Sequence, residues 1–177
     1  KNIDNEMAEM LKKIGVKLIY VGIESADEDV RKNANRTSDT NENQIEKVKY
    51  LEKKGIKVKS MYIIGMPADT EETFKKTVSY AKKIKSSYAQ FSVFTPYPGT
   101  PVFNEYKDKI TVQKYEDFTQ WELVFEHQNL TKKNILDLLN YSYKEYYTNP
   151  KWAVHFLLNK IKDLYGNMYN RIFRIRR

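Results

Sequence analysis

The chain contains no cysteine. That excludes disulfides, and it removes every thiolate that could hold zinc or an iron–sulfur cluster within these residues. Long apolar runs are also missing. None approaches the roughly 20 residues a membrane-spanning helix needs, so nothing in the sequence crosses a bilayer as a helix. Proline is scarce, with five in 177 residues, yet three of them (Pro96, Pro98, Pro101) crowd into one short loop with Gly99. The two histidines, His127 and His155, are far apart and neither has a ligand-spaced partner, which argues against a metal site.

What is present reads as a soluble globular protein: 41% hydrophobic and 31% charged residues, enough for one domain with a sizeable core. The net charge of +8 would suit an anionic partner, but the lysines are scattered over expected helix faces, so no nucleic-acid partner is expected. The chain opens KNIDNEMAEM, without an initiator Met and directly in a helical pattern. It reads as a piece of a longer protein, and missing targeting signals carry no weight.

Periodicity gives an alternating order. Met7, Met10, Leu11 and Ile14 recur at helical spacing after Asp4 and stop at Gly15. VKLIYVGIE (16–24) is a nearly continuous apolar run, as expected for a strand covered on both faces. A short polar helix is expected over 27–36, and a longer one over 41–54 with Ile45, Val48 and Leu51 on one face. IKVKSMYIIG (56–65) is a second strand. Thr70 opens a helix with the stripe Phe74, Val78, Ala81, Ile84, and YAQFSVFT (88–95) is a third strand. Helical crossovers between strands mean parallel pairing, hence an α/β sheet. Beyond Pro101 tyrosine and tryptophan thicken. Thr131 caps a helix carrying Ile135, Leu138, Leu139, Ser142 and Tyr146, and Asn149-Pro150 opens another with Ala153, Phe156, Leu157, Ile161 and Leu164. The expected division is 1–103, then a helical extension over 104–177, with a linker around 104–115.

Ligands of parallel α/β sheets lie at the carboxyl ends of the strands. Those ends are GIES (22–25), IIGMPADT (63–70) and FTPYPGTP (94–101). Glu24 and Ser25 put a carboxylate and a hydroxyl at the rim. They read either as a helix-start motif with Asp27 or as a ribose contact, since adjacent hydroxyls can both donate to one carboxylate. Gly65 permits close approach of a ligand to the backbone, although a plain strand–helix turn explains it nearly as well. The proline-rich loop either holds backbone groups against a flat ligand or simply redirects the chain. Trp121, Trp152 and the tyrosines read as packing residues.

These three stretches, in this order and spacing, resemble the C-terminal half of a radical S-adenosylmethionine (radical SAM) enzyme, most nearly the branch that carries a cobalamin-binding domain. Residues 115–150 resemble that branch's tail more loosely. The resemblance implies a partial, TIM-like (β/α)6 barrel of which this chain supplies the last three strands. It also implies a 5′-deoxyadenosyl radical that activates an unreactive C–H bond for methylation or cyclisation. By the same resemblance Glu24, with Ser25 beside it, meets the ribose of S-adenosylmethionine; the backbone of Ile63 and Gly65 meets the adenine; Arg36 meets the methionine carboxylate; and Tyr97 closes on the adenine. The implied cofactors are S-adenosylmethionine, a 4Fe–4S cluster whose CxxxCxxC ligands lie upstream of residue 1, and cobalamin on a domain outside this chain. The implied partners are a small-molecule substrate of lipid or tetrapyrrole type, the N-terminal half of the same protein and an external electron donor, in the cytoplasm. The pattern departs at Met61, where the family has glycine, and at Ala68-Asp69, where the branch has Gly-Glu. A methyl group at 68 is expected to disfavour a positive φ there. A non-catalytic nucleotide- or partner-binding half barrel is the competing reading. A peripheral membrane-surface module using the basic end NRIFRIRR (170–177) is another.

Overall fold

The computed structural model describes residues 3–35 and 40–150 and, within the last helix, 152–154, 156–158 and 160–161. Arg36, His155, Leu164 and the basic end at 170–177 lie outside the described residues.

The elements follow the capping chemistry of the sequence. Helix α1 (Asn5–Lys13) starts where the Asp4 carboxylate accepts from Met7 N, and α4 (Glu71–Ile84) starts at a reciprocal Thr70/Thr73 capping box. Between them lie strand β1 (Leu18–Glu24), the short α2 (Glu28–Asn33), α3 (Asn41–Lys53) and strand β2 (Lys57–Ile64). Strand β3 (Tyr88–Val93), α5 (Pro101–Tyr106) and α6 (Lys132–Tyr147) follow. The sheet has the order β1-β2-β3 with both pairings parallel, as the helical crossovers require.

Alternation along β2 divides the sheet into two faces. Val58, Ser60, Tyr62 and Ile64 are buried against the helices, while Lys57, Lys59, Met61 and Ile63 are half-buried on the opposite, open face. Strand β1 corrects the expectation of double coverage: Leu18, Tyr20 and Gly22 are exposed. It is an edge strand, and no described element packs on its open face, so only alternate residues are withdrawn from water.

The expected stripe of α4 is buried in full, as is that of α6: Ile135, Leu138, Leu139, Ser142 and Tyr146. Residues 104–115 do not form a free linker. Ile110 bridges Phe125 antiparallel, Thr111 N donates to Val124 O, and Leu123, Val124 and Phe125 join the core.

The tyrosines of α6 explain why the tail is aromatic. The free edge of β3 presents the N–H and C=O of residues 89 and 91. Tyr147 Oη accepts from Ala89 N at 3.0 Å and donates to Ala89 O at 2.7 Å; Tyr143 Oη does the same at Phe91, at 3.2 and 3.1 Å. Two hydroxyls thus substitute for a neighbouring strand, and Val93 N finds Gln120 O at 2.7 Å. Tyr146, also on this side, donates to Ser86 O, whereas Tyr141 is exposed.

Candidate functional site

The strand ends meet in a cavity of about 640 Å³, within the range of small-molecule and cofactor sites. Its floor is the open sheet face: Gly22 and Glu24 of β1, Met61 and Ile63 of β2, Ser92 of β3. Its walls come from the α2 exit (Asn33, Ala34, Asn35), the turn residue Pro67, and Phe94 to Tyr106 of the proline-rich loop and α5. A second hollow of about 660 Å³ on the outer surface of α3 and α4 is lined largely by charged side chains, among them the pairs Lys75–Glu71 and Lys76–Glu72, and it touches no strand end.

Glu24 is set by unusual backbone. The β1–β2 register slips between Gly22 and Glu24, and Glu24 has φ +69°, a left-handed conformation that costs a non-glycine residue on the order of 1 kcal/mol. The residues after it are fastened from three helices. Ala26 N donates to Thr77 Oγ1 of α4 at 3.0 Å, the buried Arg31 of α2 donates to Ser25 O, and Asn41 of α3 donates to Ala26 O at 2.9 Å. The strain at Glu24 is therefore held in place by its surroundings. Ser25 is buried behind the cavity wall. Its hydroxyl pairs with Thr77 Oγ1 at 3.1 Å and accepts from Asp27 N, while Asp27 caps α2.

The β2 exit turn is locked by Asp69. Oδ2 of this fully buried carboxylate accepts from Gly65 N at 3.0 Å and Met66 N at 3.1 Å, and Oδ1 accepts from the Thr73 hydroxyl at 2.8 Å. Burial raises its pKa to about 6, against the pull of those hydrogen bonds toward the ionised form. The tail clamps the same turn. His127 Nδ1 accepts from Asn129 N and Leu130 N, so Nε2 carries the hydrogen donated to Met66 O at 2.9 Å, and Asn129 Nδ2 donates to Asp69 O. His127 is thus a structural residue, and no His, Cys, Asp or Glu cluster suited to a metal ion occurs among the described residues.

The concern over Ala68 is not borne out: positive φ in this turn falls on Gly65 (+75°), and Ala68 is not among the left-handed residues. Gly65 has a packing role that the sequence does not show. A Cβ there would meet Ile135 Cδ1 at 2.9 Å, so the missing side chain admits helix α6, and Gly65 stands behind the cavity. The proline-rich loop has the expected redirecting role. Thr95 Oγ1 donates to Thr119 O at 2.8 Å and Thr100 caps α5 with Pro101 in its first turn, which redirects the chain. The same loop supplies Tyr97 and Thr100 to the cavity.

Of the expected site residues, Glu24, Ile63 and Tyr97 are brought together in the cavity, whereas Ser25 and Gly65 do not line it. Sequence reading missed Ser92, Phe94, Glu105 and Gln120. Ser92 was reachable by parity, since it pairs in register with Ile63. Gln120 was not, because only the returning tail places it there.

The arrangement is a parallel α/β sheet with a cavity at its strand ends. The radical SAM superfamily model matches residues 2–81. The chain is 28% identical over 93% of its length to a bacteriochlorophyllide d C-12(1)-methyltransferase of Chlorobaculum tepidum, and 30% identical over 97% to an uncharacterised methyltransferase of Pyrococcus horikoshii. It spans 39% and 37% of those two proteins. Among solved structures, the fold matches the radical S-adenosylmethionine methyltransferase TsrM of Kitasatospora setae, described with cobalamin and a 4Fe–4S cluster bound, with a TM-score of 0.56 at 23% identity. That match covers 61% of this chain and 22% of TsrM. The chain belongs to the radical SAM superfamily.

Proposed function

We propose that this chain forms the C-terminal part of the barrel in a radical SAM methyltransferase or a related C–H-modifying enzyme, and that its cavity is one wall of the S-adenosylmethionine site. Residues 1–103 supply most of that wall, and the tail that begins at 104 completes it with Glu105, Tyr106 and Gln120. The observation that carries the reading is the Glu24 carboxylate at the end of β1, on a strained and fastened backbone, lining a cavity at the strand ends.

The residues present fit the cofactor's nucleoside. A carboxylate accepts from two ribose hydroxyls at once, and Ile63, Phe94 and Tyr97 give an apolar wall suited to a flat base. Ser25 and Gly65 hold that wall from behind, and Arg36 is the proposed partner of the methionine carboxylate. When bound, S-adenosylmethionine supplies the 5′-deoxyadenosyl group used for hydrogen abstraction. The contribution of these side chains is to orient the ribose and exclude water. A 4Fe–4S cluster finds no ligands here, because the chain has no cysteine; its ligands, and any cobalamin, belong elsewhere in the complete protein. The methyltransferase relatives favour methylation as the outcome and a tetrapyrrole-like small molecule as substrate, with an external electron donor. No helix among the described residues is long and apolar enough to cross a membrane, and a cytoplasmic enzyme is the matching proposal.

The test is Glu24→Ala in the complete protein, with S-adenosylmethionine affinity and melting temperature measured on the same sample. Loss of charge-assisted hydrogen bonds worth roughly 1.5–3 kcal/mol is expected to weaken binding about 10- to 150-fold. Unchanged affinity with a lowered melting temperature would reduce Glu24 to a fold element.

A further inference from the structure

The aim of the Glu24 carboxylate depends on the residue two places before it. On a regular strand, residues 22 and 24 would stand side by side on one face. Here the register slips between them, Glu24 turns left-handed, and its side chain folds back over β1. A Cβ at Gly22 would lie 3.0 Å from Glu24 Oε1 and 3.7 Å from its Cδ, with no other described atom beyond the chain neighbours within 4 Å. Neither of the usual reasons for a glycine applies. Gly22 is not left-handed, and it is exposed, so neither its backbone nor the core excludes a methyl group. What a methyl would meet is the carboxylate.

We propose that Gly22 is a positioning residue: its lack of a side chain lets the Glu24 carboxylate lie across β1 toward the cofactor's ribose. This rests on reading Glu24 as the ribose contact. The backbone cannot absorb the conflict, because Ser25 and Ala26 are fastened by Arg31, Asn41 and Thr77. A methyl group at Gly22 must therefore push the Glu24 carboxylate a few tenths of an ångström off its present position.

The experiment is a double-mutant cycle in the complete protein, using Gly22→Ala, Glu24→Ala and the pair, with S-adenosylmethionine binding and melting temperature as readouts. Gly22→Ala is expected to weaken binding about tenfold or more, and the double variant to bind no more weakly than Glu24→Ala alone. Any fall in melting temperature in Gly22→Ala is expected to be recovered in the double variant, where no carboxylate remains to collide. Normal binding by Gly22→Ala beside weak binding by Glu24→Ala overturns the positioning role and leaves the ribose contact standing. Normal binding by Glu24→Ala removes the ribose contact, and the positioning role with it. Additive losses, or a stability loss that persists in the double variant, show Gly22 serving the fold on its own account and overturn the proposal.

Discussion

Asp69→Asn separates two forces acting on one buried carboxyl. Desolvation lifts its pKa from 3.8 to about 6, while Gly65 N, Met66 N and the Thr73 hydroxyl all favour the charge. A raised carboxyl pKa means that the folded state holds the proton more tightly than the unfolded chain. Its contribution to stability is complete below about pH 4, is lost as pH rises to about 6, and is constant above that. At about 1.36 kcal/mol per pKa unit, the ionised carboxylate costs the fold about 3 kcal/mol at pH 7. Asparagine escapes that cost without breaking the network. Its Oδ1 can accept from the two backbone amides, its Nδ2 can donate to Thr73 Oγ1, and the Thr73 proton can turn to Thr70 O, already 3.1 Å away. The expected outcome is a variant about equal to the parent near pH 4 and more stable by up to about 3 kcal/mol at pH 7, the difference growing through the interval between. Denaturant unfolding of both chains across pH 4–8 measures it. An asparagine variant that grows worse with rising pH would show that the hydrogen bonds outweigh desolvation, and would refute the reasoning.

Replacing both Tyr143 and Tyr147 by Phe is expected to leave four backbone groups of the β3 edge unpaired, at about 1–3 kcal/mol for each group that water cannot reach, and to promote self-association through the bared edge; melting and sedimentation measurements check both effects. Equal stability and an unchanged oligomeric state would show the hydroxyls to be dispensable. Gly65→Ala combines a positive φ with a contact at 2.9 Å to Ile135 Cδ1, and is expected to cost about 1–3 kcal/mol. Ile135→Val, which deletes that methyl, should restore part of the loss by melting temperature. Restoration by neither Val nor Ala at 135 would assign the whole effect to the backbone.

The elements were legible because their signals are local. Asp4, Thr70 and Thr131 cap the helices they precede, and the apolar stripes of α4 and α6 are the buried ones. Parallel pairing followed from the crossovers alone. What stayed hidden depended on contacts between distant residues. The lack of a side chain at Gly65 reads as room for a ligand at the backbone, and that it also makes room for Ile135 of α6 shows only in the packing. Tyr143 and Tyr147 read as packing residues, and they do pack on the core, but their work as hydrogen-bonding partners of a strand edge needs the register of α6 against β3.

The site itself shows the same division. Strand-end logic singled out the stretches 22–25, 63–70 and 94–101 without any knowledge of packing, and the resemblance pointed within them to Glu24, Ile63 and Tyr97, all of which line the cavity. It could not separate a residue that lines the cavity from one that holds the lining residue still, because both lie in the same few positions of the motif. Ser25 follows Glu24, and Gly65 lies two residues from the lining residues Ile63 and Pro67, yet neither lines the cavity: one is bonded to Thr77 and the other packed on Ile135. Strand parity resolves only part of this: it puts Glu24 on the open face with Gly22, but the one-residue register slip and the left-handed backbone that lay the carboxylate over Gly22 are not visible in it. The residue that presents the charge and the glycine that makes room for it therefore form a unit that a motif spells out but only the backbone geometry explains.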